Sequence, residues 1–502
     1  MDNATNKNRV KIYPVPDGAV LQEDYCLRVR PAGTEAWQEL KAYRVKVDMH
    51  DVRNASMAYF DFSGRVEVEI TFPRFYTVYK VDIRPLSLGI KPEIEPKKVT
   101  FTLDRPVNLS VEINKDRFHN LHLFAGDLDK ALEEMPDKND KNVLLVKGSL
   151  TRPGFLSDET SRQLEQMPEG MSPDGHPRRT LYVEAGIYYI GEAIWRLPSH
   201  TSIYLEGGAV LIGGLAFEHG EGLRIYGRGI LYLADFARFS SINGIRLNHS
   251  KDIVIENLMF INPPHYTVSL GDCAQVTVRG VKSFSCEGWS DGIDMMSCRD
   301  VTLEQCFLRT SDDCVAVYGS RWDNFGDSRN ILVRDMALWA DVAHPLMIGT
   351  HGDHAHDGDI IEHITFENID ILEHHEFQAG YLGAMAINAG DKNLVRDVVC
   401  RNIRIEPFEH GKVLDFQVRW NKDYNPAPGR GIEHILLEDI DIISGDGEEP
   451  SVIAGYSEEF VVRDVVIRRM YRDGKPVCDL AQANIQTGAF AKDILLEQAN
   501  DF

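Results

Sequence analysis

The sequence predicts an all-β chain: a right-handed parallel β-helix preceded by an N-terminal β-sandwich domain. A motif of the form apolar-x-apolar-x-x-apolar begins at Ile253, Val276, Val301, Ile331, Ile364, Val398, Ile435, Phe460 and Ile494, with weaker copies at Ile203 and Leu223. The copies from Ile253 onward follow one another at 23 to 37 residues, the mark of a fixed strand module with variable inserts on stacked coils. Within each copy, as in Ile253-Val-Ile-Glu-Asn-Leu258, the apolar residues alternate at period two, which excludes a helical repeat. Right-handedness follows from the crossover rule for parallel strands.

The elements follow in chain order. Residues 1–125 hold short alternating segments, among them Tyr25–Arg30, Tyr43–Asp48, Met57–Phe62, Val66–Thr71 and Leu109–Asn114, separated by Pro, Gly and Asp. They read as strands of a sandwich with one wet face each. Residues 126–180 are richer in charge, Pro and Gly, and read as a connecting segment with a short helix around Asp129–Glu134. Residues 181–502 form the β-helix, whose Gly-rich pieces such as Tyr226-Gly-Arg-Gly229 are tight coil corners and not a phosphate loop.

The chain has 502 residues, 54 Lys+Arg against 77 Asp+Glu, and a net charge of −23. This argues against a nucleic-acid partner, and no apolar window is long enough for a membrane span. The start lacks an apolar export segment and the eight cysteines form no CxxC pair, so a cytoplasmic protein with reduced, mostly buried cysteines is expected, although a mature secreted form would read the same.

Polar residues gather where consecutive coils should meet. One coil carries Trp289-Ser-Asp-Gly-Ile-Asp294 and the next Thr310-Ser-Asp-Asp-Cys-Val315, placing Asp291 21 residues before Asp312 and 22 before Asp313. Residues one coil apart stack at about 4.8 Å, so Asp291, Asp312 and Asp313, with Asp294, should share one notch. Crowded carboxylates raise the pKa of at least one of them, and a protonated acid beside ionised neighbours is equipment for glycosidic cleavage. Any one of these Asp taken singly could equally cap a turn. A third segment, Ala343-His-Pro-Leu-Met-Ile-Gly349, follows one longer coil on, where His344 would hold a carboxylate or bind the sugar.

The series Ser-Asp-Gly-Ile-Asp, Ser-Asp-Asp-Cys-Val-Ala-Val, Ala-His-Pro-Leu-Met-Ile-Gly resembles that of family 28 glycoside hydrolases (polygalacturonases and relatives), which carry Asn-Thr-Asp, Asp-Asp and Gly-His-Gly in this order on a right-handed β-helix. A sandwich ahead of the helix is similar to family 49 (dextranases, isopullulanase). The resemblance implies Asp312 as general acid and Asp291 with Asp313 as the pair that activates water, with inversion at the anomeric carbon. Asp294 is the runner-up for Asp291. Polygalacturonases continue with Arg-Ile-Lys, which holds the substrate carboxylate, whereas the corresponding coil here reads Gly383-Ala-Met-Ala-Ile-Asn-Ala-Gly-Asp-Lys392. That absence points to a neutral, α-glucan-like oligo- or polysaccharide. A uronide is the alternative, with Arg419, Lys412 or Lys392 supplying charge.

Trp289, Trp322, Tyr381 and Trp420 are candidate stacking platforms for sugar rings, and Asn388 and Asp391 candidate hydroxyl binders. The segment His351–Asp359 packs three His and three Asp into nine residues but matches no defined metal loop, so no metal or cofactor is expected and a substrate-side loop is the reading. The partner is a carbohydrate, and the N-terminal domain is a candidate surface for homo-oligomer assembly. Rival readings are a β-helix polysaccharide lyase, a transglycosylase, and a structural or carbohydrate-binding β-helix without turnover.

Overall fold

The computed structural model describes residues 8–72, 77–172, 174–378 and 380–497. Two sheets form the N-terminal sandwich. The five-stranded sheet runs in the order Gln38–Leu40, Cys26–Pro31, Val66–Thr71, Lys98–Leu103, Glu93–Glu95. Alternation sets its faces: Val66, Val68 and Ile70 point into the core, while Glu67 and Glu69 stand opposite Arg30 and Arg28 of the neighbouring strand and pair with them. The six-stranded sheet centres on Arg53–Ser63, paired in parallel with Asp116–Asp127.

Arg53–Ser63 departs from the expectation of one wet face. Ala58, Phe60 and Phe62 enter the sandwich core, and Met57 and Tyr59 on the other side pack with Val210, Met259, Phe284, Phe307 and Trp339 of the β-helix. The sandwich therefore lies along the flank of the helix. Buried ions key the two together. Arg309 forks onto Asp341 (2.9 Å to each carboxylate oxygen), and also donates to Asn120 at 2.8 Å and the Arg117 carbonyl at 3.0 Å. Arg84 bridges Glu112 at 2.8 Å and Glu406 at 2.6 Å.

The β-helix is one continuous parallel stack. Leu223, Ile253, Val276, Val301, Ile331, Ile364, Val398, Ile435, Val465 and Ile494 sit directly over one another. Two expected copies are out of phase. The stacked residue in the penultimate coil is Val465; Phe460 lies in a turn closed by Tyr456 N–H on its carbonyl, and the motif fits both because Phe460, Val462 and Val465 also satisfy its spacing. Ile203 aligns with Ile225, two residues beyond Leu223.

The segment 126–180 is more than a connection. Val143–Val146 and Gly154–Leu156 already pair in parallel with the strands at Thr180 and Tyr188, so the first coil begins near residue 143 and not at 181. Helix α1 (Leu128–Glu133) is capped by the Asp127 carboxylate, and α2 (Asp158–Glu165) by Ser157. Leu164 of α2 joins the helix core beside Trp195, whose indole donates to Ser161 at 2.7 Å. Helix α2 thus packs onto the β-helix core beside Trp195, a role that the charged composition of the segment hid. Six cysteines are buried and Cys26 and Cys478 are exposed, all unbridged. Among the described residues no helix is long and apolar enough to cross a membrane.

Replacing Arg309 with Met leaves the Asp341 carboxylate buried without its counter-ion. Such a change costs about 3–5 kcal/mol, so urea denaturation should show a clear fall in midpoint for Arg309→Met. An unchanged midpoint would mean that the flank contact does not hold the two domains.

Candidate active site

The site lies where the chain turns into the third strand of successive coils. Val268, Ile293, Val315 and Leu346 stack in register. Two residues before each stand Tyr266, Asp291, Asp313 and His344, so these four form one file. Backbone bonds run along it: Thr267 N–H donates to the Asp291 carbonyl, Gly292 to Asp313 and Cys314 to His344, each at 2.8 Å. Gly292 permits this approach, since a Cβ there would lie 2.2 Å from the Cys314 carbonyl oxygen.

The file brings the acids together. Oxygen atoms of Asp291, Asp312 and Asp313 all lie within 4.8 Å of one another. Asp312 accepts from the backbone N–H of Trp289 at 2.8 Å and of Asp313 at 3.0 Å. Asp313 meets His344 Nδ1 at 2.6 Å through Oδ1 and accepts from the Tyr318 hydroxyl at 3.1 Å through Oδ2. Asp291 Oδ1 and both oxygens of Asp294 are buried with no hydrogen-bond partner among the described residues. Three carboxylate oxygens so disposed could accept a hard cation, as could the exposed group Glu362, His363 and Asp397.

His344 is wholly buried behind Asp313, and its Nε2 lies 3.1 Å from the Tyr381 carbonyl. Both ring nitrogens thus face acceptors, the arrangement that suits an imidazolium. Burial pushes the imidazole down, but the Asp313 charge and hydrogen bond outweigh it and hold His344 above the ordinary histidine range. Burial, with the charges of Asp294 and Asp312, raises Asp291 well above the carboxylate range; burial raises Asp294 likewise, against the pull of Arg321. Asp312 is pushed up to about 7 by burial and then by Asp313, with the two backbone donors opposing. Protons are therefore shared among Asp291, Asp294 and Asp312 at neutral pH.

Other expected site residues fall elsewhere. His344 does not reach a sugar; its place is behind a carboxylate. Tyr381 is buried with its ring edge-on to His344 at 4.4 Å, a wall of the histidine's pocket more than a platform. Asn388 is buried against Asp415 and Arg419, and Asp391 is buried where it accepts from Ala427 N–H, so both are spent on internal contacts. Lys412 and Arg419 face the buried Asp415 at 3.5 and 3.7 Å, two cations against one carboxylate, which leaves at most one net positive charge on that side. Trp289 and Trp322 are open to solvent beside the acids, and Trp420 is open with its indole donating to the Asn425 carbonyl at 3.0 Å. In the segment His351–Asp359, Asp359 is turned inward to bind Ser320, and His356 pairs with Asp353 on the surface.

Sequence reasoning missed Tyr266, Tyr318 and Arg321. Tyr266 was within reach, since it stands one coil before Asp291 in the same file. Arg321 follows in a loop that no periodicity governs. It donates to the Tyr266 hydroxyl and stands 3.8 Å from Asp294 Oδ2.

Residues 240–378, which contain the whole file and Asp312, match the family model of glycosyl hydrolases family 28. The chain is 34% identical over 200 residues to a probable polygalacturonase of Vitis vinifera, covering 32% of this chain and 40% of that one. It is 28% identical over 138 residues to a polygalacturonase of Juniperus ashei, covering 27% and 25%. With exopolygalacturonase B of Aspergillus niger the identity is 25% over 266 residues, covering 49% and 56%. The chain thus spans between about a quarter and just over half the length of these curated relatives. Among solved structures, Dex49A from Penicillium minioluteum superposes with a TM-score of 0.58 at 13% identity, over 95% of this chain and 96% of that one. A Yersinia enterocolitica family 28 exopolygalacturonase gives 0.52 at 11% identity, over 85% and 96%. At such identities the two structures speak to the fold alone, a right-handed parallel β-helix. The resemblance to family 28 that the three motifs carry therefore holds for the coils that bear the carboxylates, within a chain laid out over nearly its full length like Dex49A.

Proposed function

We propose that the protein is an inverting glycoside hydrolase that cleaves α-linked galacturonide chains. The convergence of Asp291, Asp312 and Asp313 in one notch, with His344 as buried counter-ion, is the observation that carries the reading. Asp312 donates its proton to the glycosidic oxygen as the bond to the anomeric carbon breaks. Asp291 and Asp313 hold a water on the other face and direct its oxygen to that carbon, and Asp313, the acid paired with His344, takes the water's proton. His344 touches no substrate and acts by fixing Asp313. The oxygen separations of up to 4.8 Å are shorter than the 6.5–9.5 Å usual between the two carboxyl groups of inverting enzymes, so inversion is inferred from the family resemblance and not from spacing.

The relatives named polygalacturonases favour a uronide over the neutral sugar expected from the missing Arg-Ile-Lys. A neutral α-glucan remains the second reading because Lys412 and Arg419 both face Asp415, so that side offers at most one net positive charge. Incubation with galacturonide oligomers and an α-glucan panel, with product anomers followed by NMR, separates the two, and unsaturated products would indicate a lyase. Asp312→Asn should lower kcat by about 10²–10⁴-fold while calorimetry shows oligosaccharide binding retained. A variant as active as wild type removes the proposal.

The elevated Asp312 also sets a pH dependence. Its proton is present below about 7 and lost above it, so kcat/KM should fall as pH rises through that value. The same group stabilises the folded state fully below an unfolded pKa of about 4 and loses that contribution as pH rises through about 7. Wild type should therefore lose stability relative to Asp312→Asn across this window, measured as the difference in denaturation midpoints at pH 4 and pH 8. A constant difference would contradict the assignment.

A further inference from the structure

The two sides of the acid notch are built differently. On the N-terminal side a cavity of about 610 Å³ opens between the coils at Arg246 and Ser269 and the loop at Trp322–Asn324. Its rim carries Phe239, Trp289 and Trp322, exposed by 71, 48 and 57%. Guanidinium groups stack on these rings, Arg238 at 4.6 Å from the Trp289 centroid and Arg321 at 4.6 Å from that of Trp322. On the C-terminal side Ala386 occupies the outward position of the coil, and the nearby cations are committed to Asp415.

Unpartnered polar atoms concentrate around the first of these walls. Arg246 Nε, His265 Nδ1 and Asn324 Oδ1, which line the cavity, and Arg238 Nε and both oxygens of Asp294 nearby lack a hydrogen-bond partner among the described residues, and Asn324 and Asp294 are almost wholly buried. Such groups are paired in most folded proteins, and a cluster of them at a cavity marks places where a ligand completes the bonding. Among the described residues Arg321 itself makes one side-chain hydrogen bond, to Tyr266, and its distance to Asp294 is too long for another. Most of its planar fork remains free, the shape that matches a carboxylate.

We propose that Arg321, with Arg238 beside it, reads a substrate carboxylate on the N-terminal side of the cleavage point, while Trp289 and Trp322 stack on the sugar rings. Recognition of acid would then lie on the opposite side of the notch from the coil where an Arg-Ile-Lys would stand. This rests on the hydrolase reading above and names the residue that selects an acidic over a neutral sugar. A guanidinium that acted only on the charge of Asp291 and Asp294 would slow every substrate alike, which makes the two roles separable.

The test compares trigalacturonate with its methyl ester. Arg321→Gln should lower kcat/KM on the acid by about 10- to 100-fold, mostly through KM, and on the ester by a smaller factor, at most about tenfold, the upper range of a lost neutral hydrogen bond. Arg321→Lys, which keeps charge but not the fork, should fall between, and Arg238→Gln should show a smaller loss of the same selectivity. Equal losses on acid and ester overturn the proposal. Melting temperatures establish that each variant folds; if Arg321→Gln does not, the same acid-to-ester ratio is read from Arg321→Lys and Arg238→Gln. Should wild type hydrolyse neither compound, calorimetry with trigalacturonate decides: weaker binding by the Arg321 variant leaves the subsite standing while the hydrolase reading fails, and unchanged binding removes the subsite.

Discussion

The contact between Asp313 and His344, side chains one coil apart and both buried, fixes the chemistry of the site. Stacking in register places four acidic groups where their charges repel, and burial makes that repulsion costly. The imidazolium supplies one fixed counter-charge, held by the Tyr381 carbonyl on its far side. With Asp313 so paired, the remaining acids Asp291, Asp294 and Asp312 retain protons that isolated carboxyl groups would lose. A β-helix suits this arrangement because the backbone bonds Gly292 to Asp313 and Cys314 to His344 set the spacing before any side chain is considered.

Much of this is written in the repeat. The strand ladder, the sandwich strands and the meeting of Asp291, Asp312 and Asp313 all follow from period-two alternation and the interval of one coil. What the repeat does not govern is less legible. The Phe460 copy satisfies the pattern yet lies in a turn, because a six-residue motif can match at more than one phase. Residues 126–180 read as a connection since helix α1 precedes the short strands of the first coil and α2 follows them. His344 could be placed beside the acids from its interval, but burial, which sequence does not report, decides that it faces a carboxylate and not a sugar. Arg321 lies in a loop, where its approach to Tyr266 and Asp294 depends on a path no periodicity dictates.

Charge tells a similar story at two scales. The whole chain carries −23, which argues mildly against an acidic substrate, yet the wall beside the notch gathers Arg238, Arg246 and Arg321. A local field in a low-dielectric cleft can oppose the net charge of the surface around it. The sandwich contributes indirectly, by burying the flank of the helix through Tyr59, Phe124 and the Asn120 and Arg117 acceptors of Arg309, so that the coils bearing the acids are braced from behind.

Catalysis as described requires the three carboxylates to straddle a glycosidic bond, and a crystal structure of the Asp312→Asn protein with a bound galacturonide trimer would show whether they do. The glycosidic oxygen should lie about 2.6–3.2 Å from the side chain at position 312, with a water between the anomeric carbon and Asp291 and Asp313. A trimer seated away from the notch, or a notch with no room for both sugar and water, would contradict this mechanism.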